Sequence, residues 1–119
     1  MIRKETYSVD VVLEHIRNSN HRVVLDGDSV RVKGVRMLSF LRNGITCVSC
    51  GVKGVFFAKE KTSKADRSFH LNLYGIKENG KEVLMTRDHI YPRSLGGSED
   101  ITNMQTMCQC CNSRKGNKI

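Results

Sequence analysis

Tryptophan is absent from this 119-residue chain, proline occurs once and aromatic residues make up only 6% of it. A core built without the largest side chains is modest, so cross-links would help to hold it together. No stretch approaches the roughly 18 apolar residues of a membrane span, and "MIRKETYSVD" lacks the apolar segment of a signal peptide. These absences lead to the expectation of a cytoplasmic protein with no membrane partner, kept in a reducing compartment where paired cysteines mean metal more often than disulfide. Repeats, low-complexity tracts and a Pro-rich linker are missing too, which fits one domain, or one domain with an arm. Acidic residues are in short supply, 12 against 20 Lys and Arg, for a net charge of +8 and a pI near 9.5. A polyanion is the natural partner, and nucleic acid is favoured over a membrane because no basic amphipathic helix gathers the charge on one face.

What is present divides near residue 45. Val9, Val12, Leu13 and Ile16 recur at helical spacing behind Ser8, a natural N-cap. "HRVVLDGDSVRVKG" places two β-branched runs about Asp26-Gly27, the signature of a tight hairpin. Val35 to Leu41 reads as a short helix stopped at Asn43-Gly44. Residues 1–45 are therefore expected to form an N-terminal arm of helix, hairpin and short helix, and residues 46–119 a second unit that carries the chemistry. In the second unit a strand from Val52 runs into a basic loop, Lys59 to Arg67, expected to track phosphates. "FHLNLYGI" and "EVLMTRDHI" flank Asn79-Gly80 and predict a hairpin with Asp88 and His89 near its end. Beyond the break at Pro92 and Gly96-Gly97, Asp100 is expected to cap a short helix through "ITNMQTM", and a last helical piece spans about Cys111 to Lys115.

Two C-x2-C units, Cys47/Cys50 and Cys108/Cys111, lie on either side of that hairpin. Four thiolates at this spacing can close a tetrahedral structural zinc site, because two intervening residues let each pair curl around one ion. A redox-active pair is the rival reading, weakened by the presence of two pairs and no thioredoxin-like pattern. Cys110, between two of the ligands, reads as a packing residue or a spare thiol.

Asp88-His89, Asn103 and Asn112 share one explanation. If zinc ties the hairpin to the last helix, Asp88 faces Asn112, and a carboxylate and an amide oxygen suit a hard cation such as Mg²⁺ or Mn²⁺. A neutral imidazole, with an ordinary pKa of roughly 6.5, can then take a proton from an attacking water, while the metal offsets charge building on a phosphate. Asn103 would fix the loop and the His89 ring, and Arg87, Arg93, Arg114 and Lys115 would hold phosphates. Each residue alone has a structural alternative as a cap or a hydrogen-bonded side chain; His15, His21 and His70 are left to that reading.

"CVSCG" followed by "RDHIYPRSLGGSEDITNMQTMCQCCNSRKGNK" resembles the HNH (ββα-metal, or His-Me finger) nuclease family over residues 47–118. The resemblance implies an α+β fold with a ββα-metal core stapled by a four-cysteine zinc site. It also implies metal-dependent hydrolysis of DNA phosphodiester bonds, leaving 5′-phosphate and 3′-hydroxyl ends. By the same resemblance Asp88 and Asn112 bind the catalytic metal, His89 is the general base and Asn103 positions it. Asn112 stands where many members have His, an HNN variant also frequent among members that use Mg²⁺. Small free-standing members are commonly encoded by bacteriophages or mobile elements, which places the protein in a bacterial or phage-infected cytoplasm. One active centre cuts one strand, so a monomer nicks double-stranded DNA, and breaking both strands would need two chains, as in a homodimer, or two encounters. Two other readings stay open: a non-catalytic, zinc-stabilised DNA-binding module, and a phage protein-interaction factor acting through residues 1–45.

Overall fold

The computed structural model describes every residue from Met1 to Ile119 and is a mixed α+β structure. The N-terminal residues begin not as a helix but as a strand, β1 (Ile2–Ser8), which runs directly into α1 (Val9–Asn18). Ser8 Oγ accepts from the Val11 N–H and so caps α1, whose Val12 and Ile16 are buried. The hairpin β2 (Arg22–Leu25) and β3 (Asp28–Arg31) turns on Asp26 and Gly27, with φ of 49° and 83°. Two successive positive φ values match the right-handed twist of the strands, which is why Asp-Gly is favoured there. The second helix, α2 (Val35–Asn43), buries Met37 and Phe40 and ends at Gly44.

β1 joins β4 (Gly54–Lys61), β5 (His70–Ile76), β6 (Glu82–His89) and β7 (Met104–Cys108) in one antiparallel sheet of order β1-β4-β5-β6-β7. α1, α2 and the β2-β3 hairpin pack on this sheet through Val12, Ile16, Val30, Phe40, Phe57 and Leu73, all in one continuous core. α3 (Gln109–Lys115) follows β7 and lies against β6 and β7. No helix is long and apolar enough to cross a membrane.

Two expectations are corrected. "ITNMQTM" is not a helix: Asp100 caps a single turn of 3-10 helix, Ile101–Asn103, by accepting from the Thr102 N–H, and the chain then extends as β7. Met104 pairs with His89 and Cys108 with Met85. A five-residue run is too short for its own periodicity to decide, and the open edge of β6 supplies the hydrogen bonds that favour a strand. The basic loop also begins later than expected, because Lys59 lies within β4 and is fully buried.

The Lys59 ammonium donates to the Leu25 carbonyl at 2.6 Å and lies 2.8 Å from Asp28 Oδ2, which Lys4 also reaches at 2.7 Å. It thereby ties the β2-β3 hairpin to the sheet. Lys59→Met keeps the stem and removes the charge, leaving the Leu25 carbonyl without this donor and Asp28 with Lys4 alone. A buried carbonyl that loses its donor costs about 1–3 kcal/mol. Urea unfolding of the zinc-loaded variant should register that loss, and a stability within about 0.5 kcal/mol of wild type, the spread of neutral surface changes, would show the contact to be idle.

Candidate active site

The end of β6, the loop 90–103 and α3 enclose a cleft of about 230 Å³, lined by Asp88, His89, Arg93, Asn112 and Lys115 among others and by no hydrocarbon side chain apart from Pro92. The hairpin delivers Asp88 and His89 to its floor, and α3 presents Asn112 and Lys115 from one turn. Asp88 is buried, and its Oδ2 accepts from Gln105 Nε2 at 2.9 Å and from Lys115 Nζ at 3.1 Å. Lys115 Nζ donates as well to the His89 carbonyl at 2.9 Å, which holds α3 against the strand end.

Asn112 has its amide orientation set by a relay. The one proton of the Thr86 hydroxyl goes to the Met107 carbonyl at 2.8 Å, so Thr86 Oγ1 can only accept from Asn112 Nδ2, also at 2.8 Å. The amide oxygen of Asn112 is therefore turned away from Thr86, and neither it nor Asp88 Oδ1 meets a protein donor. One carboxylate oxygen and one amide oxygen in a polar cleft fit a hard divalent cation, with room for water in its shell.

His89 meets Glu99, whose Oε1 lies 2.9 Å from Nε2. An ionised carboxylate only accepts, so Nε2 is the donor in this pair, and Nδ1 is the ring nitrogen that Glu99 leaves unengaged. The His89 hydrogen bond, with Arg93 and Arg87 adding their charge, holds the Glu99 carboxyl below its ordinary range. Asn103 makes no hydrogen bond to the ring. Its amide clasps the loop through the Tyr91 N–H, the Tyr91 carbonyl and the Ser98 carbonyl, and its own carbonyl accepts from the Ile90 N–H. Gly97 is needed in the same loop, because a Cβ there would meet the Tyr91 carbonyl oxygen at 1.9 Å.

The sulfurs of Cys47, Cys50, Cys108 and Cys111 lie within 4.8 Å of one another, close enough to hold one metal ion. Cys50 Sγ and Cys108 Sγ are 3.8 Å apart, the edge of a tetrahedron with metal–sulfur bonds of about 2.3 Å. Burial opposes ionisation of Cys47, yet the backbone N–H groups of Cys50, Cys108 and Ser49 pull it down to about 6, whereas burial first of all pushes Cys108 up to about 12. Four thiols so crowded cannot all ionise without a cation between them. Cys110 is exposed and outside the cluster, 3.5 Å from Lys77 Nζ.

Of the expected phosphate-holding residues, Arg87, Arg93 and Lys115 line the cleft. Arg114 does not; its guanidinium sits 3.3 Å from Cys111 Sγ. Glu99, Gln105 and Thr86 had no role assigned from sequence. Gln105 would have been found had β7 been read as a strand, since it then pairs across from Asp88. Glu99, half-exposed in a polar loop, gives no such signal.

A family model described as HNH endonuclease matches residues 76–119, a segment that holds β6, the loop, β7 and α3. No curated protein and no solved structure matches the chain.

Proposed function

We propose, from the premise that residues 76–119 belong to the HNH endonuclease family, that the protein is a metal-dependent DNA endonuclease working in the Asp88–His89–Asn112 cleft. The family implies a nucleic acid substrate. The observation that carries the reading is the meeting, in one polar cleft, of two donor-free oxygens and an imidazole whose Nε2 is engaged by Glu99.

Asp88 Oδ1 and Asn112 Oδ1 would hold Mg²⁺ or Mn²⁺, and the four cysteines Zn²⁺. When bound, the hard cation supplies positive charge beside the scissile phosphate and the departing 3′ oxygen. His89 Nδ1 takes a proton from water, the water oxygen bonds to phosphorus, and the bond from phosphorus to the 3′ oxygen breaks. A 5′-phosphate and a 3′-hydroxyl result, the latter protonated from solvent. Arg87, Arg93 and Lys115 position the backbone, and Asn103 keeps the loop that carries Glu99 to the His89 ring. Residues 46–119 act as the nuclease unit, and residues 1–45 add a strand to its sheet and pack into its core.

A second reading draws on Lys115, whose ammonium already neutralises one oxygen of Asp88; a module that binds DNA without cutting would tolerate that pair. Supercoiled plasmid separates the two. Zinc-loaded protein with Mg²⁺ or Mn²⁺ should yield nicked circles, and omitting the second cation should abolish them. Salt-sensitive binding with no nick under either cation would overturn the nuclease reading.

A further inference from the structure

A second cavity, of about 440 Å³, opens where the start of α2, the end of β3 and strands β5 and β6 meet. Arg31, Arg36, His70 and Arg87 line it, and no carboxylate does. The acids around it stand outside: Asp66 is 3.9 Å from His70, Glu99 is 3.9 Å from Arg87 while bonding His89, and Glu60, which lines an adjoining cavity with Arg36 and His70, is committed to Arg3, Asn72 and Tyr74. Elsewhere arginines meet acids closely, as Arg3 meets Glu60 and Glu82 at 2.8 and 2.7 Å. Arg31 and Arg36 have no such partner, and Arg36 makes one side-chain hydrogen bond, to the Leu71 carbonyl, out of the five a guanidinium can donate. Burial, and then the charge of Arg87, push the Arg36 guanidinium below its ordinary value. Arg36 and Arg87 are half-buried, and like charges held that way are costly to assemble, a cost that an anion seated between them lowers. The first turn of α2 adds backbone N–H groups with no side-chain cap and no acidic residue beside them.

Arg87 lines both this cavity and the Asp88–His89 cleft. Anion sites joined by a shared guanidinium suit a ligand with anions repeated along a chain rather than a single free ion. We propose that the Arg31–Arg36–His70–Arg87 cavity is an accessory subsite for a backbone phosphate of the nucleic acid whose scissile phosphate enters the cleft. The proposal rests on the reading of that cleft as a nucleic acid site. It gives the β2-β3 hairpin and α2 a role in holding substrate.

The test uses the zinc-loaded full chain and a fluorescein-labelled duplex of about 20 base pairs, with the second cation omitted, and follows anisotropy at several salt concentrations. Arg31→Gln, an exposed change with no hydrogen bond to lose, should weaken binding several-fold and lower the slope of log affinity against log salt by about one. Arg36→Gln should do the same, and Arg36→Lys should recover part of the loss. Unchanged affinity and slope in Arg31→Gln and Arg36→Gln would overturn the proposal, as would a wild type with no salt-dependent affinity. If inorganic phosphate raises the thermal midpoint of wild type but not of the variants while duplex affinity stays equal, the cavity binds a free anion instead, which also overturns it. Plasmid nicking is scored separately: variants that nick like wild type with unchanged affinity sink the subsite alone, and weakened binding in a wild type that never nicks sinks the nuclease reading alone.

Discussion

His89→Ala should give a folded, zinc-loaded protein that binds DNA with near-wild-type affinity and nicks it roughly 10²–10⁴ times more slowly, the usual contribution of a positioned general base. That range equals about 3 to 5 kcal/mol of lost transition-state stabilisation. The fold should survive because His89 ends β6 and its ring bonds only to Glu99, while its carbonyl, which anchors Lys115, is untouched by the substitution. Asp88 and Asn112 keep their partners Gln105 and Thr86, so cation affinity should change little. A single-turnover time course on supercoiled plasmid at saturating Mg²⁺ reads the effect directly. Equal rates for wild type and His89→Ala would remove the imidazole from the mechanism.

Cys108→Ser should abolish zinc binding, ordered structure and cleavage together. A structural zinc site contributes on the order of 10 kcal/mol to a small domain, comparable with the roughly 5–15 kcal/mol of net stability that domains possess. Cys108 stands at the junction of β7 and α3 and is buried, so the loss is felt at the one element that carries Asn112 and Lys115. Cys110→Ser is the matched control: its thiol is exposed and outside the four-sulfur cluster, and zinc content and circular dichroism should match wild type. Zinc stoichiometry by metal analysis, read beside the far-ultraviolet spectrum, checks both. A folded Cys108→Ser with full nicking would assign the cluster no structural role.

The legible parts of the molecule share a property. Turns at Asp26-Gly27 and Asn79-Gly80, the cap at Ser8 and the helical period of α1 were readable because each depends on residues a few positions apart. The C-x2-C pairs were readable because ligand spacing within each pair is local, although their union across the hairpin needed the fold. At the site, Asp88, His89 and Asn112 were found as a set, and the structure brings them to one cleft. Their supports were not: Glu99 on the His89 ring, Gln105 on Asp88 and the Thr86 relay that orients Asn112 all arise from pairing across β6, β7 and the loop.

By itself the sequence determined the positive charge, the four-cysteine set, the hairpin turns and the candidate site residues, since these follow from residue chemistry and short-range backbone preference. Only the tertiary structure decided that "MQTMC" is a strand, that Lys59 is a buried tie and that Arg36 and Arg87 face one cavity. The reason is that a five-residue run, a lysine or an arginine has several acceptable environments. Which one it occupies is chosen by the hydrogen-bonding edge or the cavity that distant residues build around it.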